Sequence, residues 1–274
     1  MGNIIKEAKL EACNPSATPG TAALRATDEH EQDLSKEEHA TYRRIVGRLQ
    51  WLVYTRPDLA YATKELARAL NKPTTQDWKR IKHLVRYLQG TQGYNFSVQP
   101  TAQLSNELKE VDIDAFVDAD WAGDPVTRKS TSGFAIYILG TCVQFGSRTQ
   151  QTVALSSAES ELYAIGTGAI EALHLRNFLR ELHSNLKVNI RIHTDSSAGK
   201  SIATRIGSSK KAKHIAIKHL FIQQLVQANI VTILKVRSDD NRADVFTKHV
   251  TPETLRRHLH AIGLIDRSRS HNNQ

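Results

Sequence analysis

The chain has 274 residues, 40% of them hydrophobic and 24% charged, which is enough apolar material for the core of one large domain or two small ones. Its net charge of +9 and its pI of about 9.6 favour a polyanionic partner, nucleic acid ahead of a membrane, although a basic solvated surface explains the charge equally well. Two cysteines exclude a disulfide framework and indicate a reducing intracellular location, cytoplasmic with the nucleus also open, and no apolar run reaches the roughly 18 residues of a transmembrane helix.

The first third of the chain predicts a polar leader and then a small helical region. Residues 1–34 are polar and contain Pro15, Pro19 and Gly20, so we expect a short helix over 4–12 and then a flexible leader. From Ser35 onward, apolar residues recur every three or four positions, Pro57 marks a new first turn, and Thr74 opens a third helix. Residues 35–93 therefore predict three short helices.

The rest of the chain predicts a sheet domain. Residues 94–110 read as a strand and a polar linker, residues 111–264 as strands and helices, and residues 265–274 as a disordered tail. The middle segment predicts, in order, a strand ending at 118, a hairpin over 134–145, a helix over 156–183, a strand over 188–194, a helix over 212–228 and a strand over 230–236. Strands that come first and then alternate with helices are typical of an α/β fold with a mixed sheet flanked by helices.

Two aspartates, Asp118 and Asp195, each follow an apolar strand and precede small polar residues. Ligand sites in open α/β sheets collect at the carboxyl ends of strands. Two carboxylates at neighbouring strand ends would repel each other strongly without a divalent cation, and oxygen ligands select Mg²⁺ or Mn²⁺ over zinc. The alternative is that both aspartates only cap the elements that follow them.

Two further carboxylates, Glu161 and Asp244, lie near predicted helix starts, where each taken alone is better explained as a helix cap. Glu159 competes with Glu161 for a functional role. The predicted core-facing stripe of this helix begins at Leu155. In a helix of about 3.6 residues per turn, the two glutamates lie on either side of this stripe, at similar angles from it. Periodicity therefore leaves the choice between them open.

Several motifs occur in a fixed order over residues 8 to 264. They are VGRL at Val46–Leu49, TRPDLAYA at Thr55–Ala62, LQGT at Leu88–Thr91, VDADWAGD at Val117–Asp124, RKSTSGF at Arg128–Phe134, VALSSAESELYA at Val153–Ala164, TDS at Thr194–Ser196, KHI at Lys213–Ile215 and ADVFTK at Ala243–Lys248. In this order they resemble the ribonuclease H domain of copia-type retrotransposon Pol polyproteins, with the connection region that precedes it. The resemblance implies a ribonuclease H-like mixed five-stranded sheet flanked by helices, at 111–264, behind a helical connection region at 35–93.

The resemblance also implies a catalytic site with two Mg²⁺ ions, for which Mn²⁺ can substitute, held by four catalytic carboxylates: Asp118, Glu161, Asp195 and Asp244. The Glu-Leu-Tyr-Ala phase of the family motif favours Glu161 over Glu159. Asp118 would bridge both ions, and Asp244 would help to hold the ion that activates the attacking water. Glu161 and Asp195 would hold the ion at the leaving 3′-oxygen. The implied reaction is endonucleolytic hydrolysis of the RNA strand of RNA/DNA hybrids.

The implied partners are the RNA/DNA hybrid and the reverse transcriptase part of the same polyprotein, with no membrane. Candidate nucleic-acid contacts are Arg128, Lys129, Ser196, Lys200, Lys211, Lys213 and His214. For any single lysine a solvated basic surface is the better explanation, and His214 is better explained as a histidine on a helix surface. Each phosphate that such cations neutralise steepens the salt dependence of binding.

Two other functions remain open from the sequence. An inactive or domesticated retroelement fragment would bind nucleic acid without cleaving it, and another two-metal nuclease or a strand-transfer enzyme would share the fold. The presence of all four carboxylates favours an intact hydrolase over a decayed one. The chain has no Tyr-x-Asp-Asp motif, so we do not expect polymerisation from it.

Overall fold

A computed structural model describes residues 1–25, 31–101, 108–205 and 217–267. The helices within these residues are α1 (Gly2–Glu7), α2 (Lys36–Leu52), α3 (Ala60–Arg68), α4 (Thr75–Gly90), α5 (Ser157–Leu182), α6 (Ser197–Thr204), α7 (Ile217–Gln227) and α8 (Pro252–Ile262). The strands are β1 (Tyr94–Phe96), β2 (Glu110–Asp120), β3 (Thr131–Ile138), β4 (Thr141–Thr149), β5 (Lys187–Thr194), β6 (Val231–Lys235) and β7 (Leu264–Asp266). Short 3₁₀ helices lie at Ala22–Arg25, Pro57–Leu59, Ser238–Asp240 and Asp244–Phe246.

The chain divides into two compact units, which we call the helical unit (Met1–Ser97 with His249–Gln274) and the sheet unit (Val98–Lys248). No helix within the described residues combines the length and the apolar character that crossing a membrane requires.

Local sequence signals start the main helices of the helical unit. The side chains of Ser35 and Thr74 each accept a hydrogen bond from the backbone three residues later, and Glu38 and Asp77 accept one from the cap residue in return. These reciprocal bonds form a capping box at the start of α2 and of α4, and they satisfy amide groups that a helix start otherwise leaves unpaired. The predicted small helical region is confirmed by α2, α3 and α4.

A buried ion pair fixes the turn between α2 and α3. The guanidinium of Arg56, which is 1% exposed, donates two hydrogen bonds to the carboxylate of Asp58, at 3.0 and 2.7 Å. It also donates to the carbonyl oxygen of Thr91, just after α4, at 3.0 Å. A buried charge is tolerated only when it is paired and hydrogen-bonded in this way, so the pair ties the turn to the end of α4.

The ends of the chain differ from the predicted boundaries. The short helix expected over 4–12 corresponds to α1, which spans Gly2–Glu7 and whose Ile4 and Ile5 are buried in the helical unit. At the other end, α8 belongs to the helical unit instead of the predicted sheet domain. Strand β7 extends to Asp266, into the segment predicted as a disordered tail, and pairs antiparallel with β1. Composition cannot show these differences, because the partners of short apolar segments lie far away in the sequence.

The sheet unit contains a mixed five-stranded sheet in the order β4-β3-β2-β5-β6. The pairs β4–β3 and β3–β2 are antiparallel, whereas β2–β5 and β5–β6 are parallel. The long helix α5 packs against β2, β3 and β5, and the core contains alternate residues of the central strand: Val111, Ile113, Ala115 and Val117. The predicted mixed five-stranded sheet flanked by helices is confirmed.

Candidate active site

Two carboxylates meet at the carboxyl ends of the central parallel strands. The register of β2 and β5 pairs Val117 with Thr194. Asp118 and Asp195 are the next residues along the chain from this pair, so they lie side by side at the same edge of the sheet. Asp118 is 4% exposed and Asp195 is half-buried. The strand-end position is the one that the sequence predicted for a ligand site.

Helix α5 brings Glu161 to this edge. Its first turn is fixed by Ser156, whose hydroxyl accepts a hydrogen bond from the backbone N–H of Glu159. On the other side, a Cβ atom added to Gly199 of α6 would lie 2.9 Å from Cβ of Glu161, so only glycine allows α6 to approach so closely. Carboxylate oxygens of Asp118, Glu161 and Asp195 all lie within 4.8 Å of one another. We call these three residues the acidic cluster.

The structure gives Glu159 and Glu161 different surroundings, which periodicity could not distinguish. Glu159 is 3% exposed, and its carboxylate accepts hydrogen bonds from the backbone N–H of Leu155, at 2.8 Å, and from the Tyr163 hydroxyl. Glu159 therefore ties the loop before α5 to the helix. Glu161 joins the acidic cluster instead. Leu155, which periodicity assigned to the core-facing stripe, is 68% exposed, because it lies in the loop before the helix.

The acidic cluster holds the carboxyl groups of Asp118 and Glu161 in an environment that is unfavourable for negative charge. Burial raises the pKa of Asp118 to about 7 from its ordinary 3.8, and the charges of Asp244 and Asp195 add to the rise. Burial likewise raises the pKa of Glu161 to about 9 from 4.5, with the charges of Asp118 and Asp195 acting in the same direction. A cation bound beside Asp118 and Glu161 would favour their ionised forms and lower both pKa values.

Asp244 lies near the acidic cluster, in the 3₁₀ turn after β6, and is paired with a lysine. Its Oδ1 atom is 2.9 Å from Nζ of Lys248. Burial alone would lower the pKa of Lys248, but the charges of Asp118 and Asp244 outweigh burial and raise it. The ammonium group of Lys248 therefore partly neutralises the carboxylates in this structure. The charge of Asp244 reaches Asp118, although its oxygens are not among those within 4.8 Å of one another.

Three residues in the segment after β6, Asn241, Thr247 and Lys248, contribute to the site although no role was predicted for them from the sequence. The Thr247 hydroxyl donates a hydrogen bond to Oδ2 of Asp118. Nδ2 of Asn241 donates to Oδ1 of Asp195 at 3.3 Å and to the carbonyl oxygen of Val117 at 2.9 Å. Lys248 is the third. The four-residue spacing of Asp244 and Lys248 is a readable signal for an ion pair, whereas nothing local indicates the contacts of Asn241 and Thr247.

The donor set of the acidic cluster fits a hard divalent cation. All of its donors are carboxylate oxygens, which are the ligands that Mg²⁺ and Mn²⁺ prefer. The Oε2 atom of Glu161 is buried and has no hydrogen-bond partner among the described residues. A buried carboxylate oxygen without a partner is costly unless a cation binds it.

The predicted nucleic-acid contacts lie around this edge or outside the described residues. Arg128 and Lys129 lie in the turn between β2 and β3, and Lys200 lies on α6. The Ser196 hydroxyl caps α6 by accepting a hydrogen bond from the N–H of Gly199 at 2.9 Å. Their contact with nucleic acid stays a prediction. The described residues do not include Lys211, Lys213 and His214.

Comparison with known proteins gives relatives but no matching family model. The chain is 29% identical over 263 residues to the retrovirus-related Pol polyprotein from transposon RE2 of Arabidopsis thaliana, a match that covers 96% of this chain and 17% of that polyprotein. It is 40% identical over 141 residues to the secreted RxLR effector protein 161 of Plasmopara viticola, covering 50% of this chain and 93% of that protein. Among solved structures, LC11-RNase H1, isolated from compost, is similar with a TM-score of 0.38 and 15% identity, over 56% of this chain and 99% of that one. The chain thus spans less than a fifth of the polyprotein that it matches.

Proposed function

The relatives of this chain include the retrovirus-related Pol polyproteins of copia-type transposons, and from that premise we propose that it is a ribonuclease H, a Mg²⁺-dependent endonuclease that hydrolyses the RNA strand of RNA/DNA hybrids. The observation that carries the proposal is the acidic cluster at the ends of β2 and β5. Two-metal phosphodiester hydrolysis needs oxygen ligands that converge on one place from separate elements. The acidic cluster supplies such ligands from two strand ends and a helix.

The proposed mechanism uses two divalent ions. Asp118, Glu161 and Asp195 would hold one ion, and Asp118 with Asp244 would hold the second. When bound, the ions supply positive charge for the phosphodiester group and lower the pKa of a water molecule that attacks phosphorus. The hybrid would complete the ligand shell with its phosphate oxygens, because Mg²⁺ is rarely enclosed by protein ligands alone.

The chain itself supplies geometry and charge balance. Thr247 holds Oδ2 of Asp118 in place, and the Asn241 amide joins Oδ1 of Asp195 to the end of β2. These bonds fix the orientation of two carboxylates before any ligand arrives, which is what supporting residues around metal sites do. Lys248 offsets part of the negative charge that would otherwise repel a phosphate group.

A cleavage assay with labelled duplexes tests the proposal. The purified chain is incubated with an RNA/DNA hybrid, double-stranded RNA or double-stranded DNA of one sequence, in Mg²⁺ or in Ca²⁺. We expect cleavage of the RNA strand of the hybrid only, in Mg²⁺ only, and loss of that cleavage in Asp118→Asn. Asp112→Asn is the matched control, because Asp112 lies at the other end of the same strand and is partly exposed.

The outcomes separate the candidate functions. Binding of the hybrid by the wild-type chain without cleavage in Mg²⁺ would support the inactive fragment that binds nucleic acid. Cleavage that persists in Asp118→Asn would show that the acidic cluster is not the catalytic site. Cleavage of double-stranded DNA at a comparable rate would indicate a different two-metal nuclease.

A further inference from the structure

An exposed tryptophan, Trp121, lies directly beyond the strand that ends in the acidic cluster. It directly follows β2, lies three residues after Asp118 and is 47% exposed. Its indole N–H donates a hydrogen bond to the carbonyl oxygen of Ala154 at 3.1 Å. Because this bond occupies the one polar atom of the indole ring, the exposed surface of the ring is apolar and the ring is held in one orientation.

The two residues next to Ala154 in the chain also have exposed apolar side chains. Val153 is 46% exposed and Leu155 is 68% exposed. We call Trp121, Val153 and Leu155 the apolar patch. A folded chain rarely leaves several large apolar side chains together in water unless they meet a partner. None of the three side chains packs in the hydrophobic core, and each residue lies in a loop outside the strands and helices.

The residues of the apolar patch adjoin, along the chain, the two elements that carry Asp118 and Glu161. Trp121 extends the strand end that carries Asp118, and Leu155 directly precedes Ser156, the N-cap of the helix that carries Glu161. A nucleic-acid strand whose phosphate reaches the acidic cluster would therefore pass close to the apolar patch. The patch itself contains no charged group, so it suits the sugar surface of the strand and not its phosphates.

We propose that the apolar patch, with Trp121 as its main element, is a platform that contacts the sugars of the RNA/DNA hybrid in the minor groove beside the scissile phosphate. The inference rests on the proposed function. The minor groove of A-like duplexes is wide and shallow and displays the sugars, so a flat apolar ring can reach them. Since the indole N–H is already bonded to Ala154, the ring offers no hydrogen bond to base edges, and the contact is independent of sequence.

Hybrid affinity and steady-state kinetics test this proposal. Affinity is measured in Ca²⁺ at several salt concentrations, and kinetics in Mg²⁺, for the wild type, Trp121→Ala, Trp121→Phe and Trp51→Ala. The last variant is the matched control, because Trp51 is also exposed, at 79%, but lies on α2 in the helical unit. We expect Trp121→Ala to weaken binding and to raise KM by about tenfold, the scale on which aromatic contacts to nucleic acid act.

Three further readouts distinguish a platform from a structural role. The value of kcat in Trp121→Ala should stay within about twofold of the wild-type value, since an apolar contact to a sugar stabilises the bound ground state and the transition state equally. The slope of log Kd against log salt should not change, because no phosphate contact is lost. Trp121→Phe should recover most of the affinity, and Trp51→Ala should match the wild type.

Fluorescence gives a measurement that does not need activity or an alanine variant. The chain has three tryptophans, and the double variant Trp51→Phe, Trp78→Phe leaves Trp121 as the single emitter. We expect the hybrid, added in Ca²⁺, to quench or shift this emission.

The failure of this inference can be told apart from the failure of the proposed function. Wild-type cleavage of the hybrid, together with unchanged affinity in Trp121→Ala and unchanged Trp121 emission, would overturn the platform alone. A wild-type chain that neither binds nor cleaves the hybrid would overturn both. Loss of kcat without a change in KM would assign Trp121 to the support of the catalytic loop and would also refute the platform.

Discussion

Replacing Glu161 with glutamine should abolish hybrid cleavage and, in the absence of divalent ions, make the chain more stable. The reason is the raised pKa of Glu161, about 9 against an ordinary 4.5, which burial and the charges of Asp118 and Asp195 cause. A carboxyl group whose pKa is raised by folding stabilises the folded state at low pH, and this contribution is lost as the pH rises from the unfolded-state pKa to the folded-state pKa. Glutamine keeps the shape of the side chain and removes this dependence on pH.

The size of the effect follows from the pKa of Glu161. At pH 7 the metal-free folded chain holds Glu161 protonated, whereas the unfolded chain ionises it at 4.5. The difference of two and a half pH units costs the folded state about 3 kcal/mol, at about 1.4 kcal/mol per unit. The cost to the folded state is less than about 1 kcal/mol at pH 5. At pH 9 it is roughly twice the cost at pH 7.

Urea unfolding in EDTA at pH 5, 7 and 9, followed by circular dichroism, measures this difference. With a denaturant slope of roughly 3 kcal/mol per molar urea, the midpoint of Glu161→Gln at pH 7 should exceed that of the wild type by about 1 M. Addition of Mg²⁺ should stabilise the wild type more than the variant, because ligand binding stabilises only a site that binds the ligand.

Glu159→Gln is the control for this measurement. Its carboxylate accepts two hydrogen bonds, so the substitution should lower the stability at pH 7 by about 1 kcal/mol. A Glu161→Gln chain that is no more stable than the wild type at pH 7 and 9 in EDTA would contradict this prediction, since ionisation of Glu161 would then cost the folded state nothing.

Three more predictions follow from other contacts. Thr247→Val removes the hydroxyl that holds Oδ2 of Asp118 and should raise the Mg²⁺ concentration for half-maximal cleavage by about ten- to a hundredfold, measured by Mg²⁺ titration. Arg56→Met leaves the buried carboxylate of Asp58 unpaired and should cost about 3–5 kcal/mol of stability, measured by urea unfolding. Arg128→Gln should lower the slope of log Kd against log salt by about one if Arg128 contacts a phosphate group, measured by hybrid binding in Ca²⁺.

Each of these three has a matched control and a contradicting result. Thr247→Ser keeps the hydroxyl and should behave as the wild type, so equal Mg²⁺ dependence of the valine and serine variants would remove the role of the hydroxyl. Arg48→Met breaks an exposed pair with Glu7 and should cost less than about 1 kcal/mol; a similar cost for Arg56→Met would mean that the buried pair is dispensable. An unchanged salt slope in Arg128→Gln would leave Arg128 as a solvated surface residue.

Local signals explain why much of the fold could be predicted from the sequence. Ser35 with Glu38 and Thr74 with Asp77 form the capping boxes at the predicted helix starts, because a helix start needs hydrogen-bond partners within the next three residues. The apolar run before Asp118 predicts a buried strand, and β2 is that strand. The order of such elements predicts a mixed sheet flanked by helices, and the structure confirms it.

The sequence alone determined which residue types were available: four carboxylates at the ends or starts of regular elements, in an order that resembles one family. Periodicity could not choose between Glu159 and Glu161, because both flank the same predicted stripe, and only the resemblance favoured Glu161. The packing of α5 supplies the physical reason, since Glu161 faces the ends of β2 and β5 and Glu159 faces its own loop.

The tertiary structure also decided what surrounds the carboxylates. Asn241 and Thr247 acquire their roles from aspartates that lie 46 and 129 positions away in the chain, and Trp121 acquires its fixed orientation from Ala154. Local sequence determines the hydrogen bonds and apolar periodicity of each helix and strand. Contacts between distant residues depend on how the elements pack, and for that reason the carboxylates could be named from the sequence while their charge balance and the apolar patch beside them emerged only from the fold.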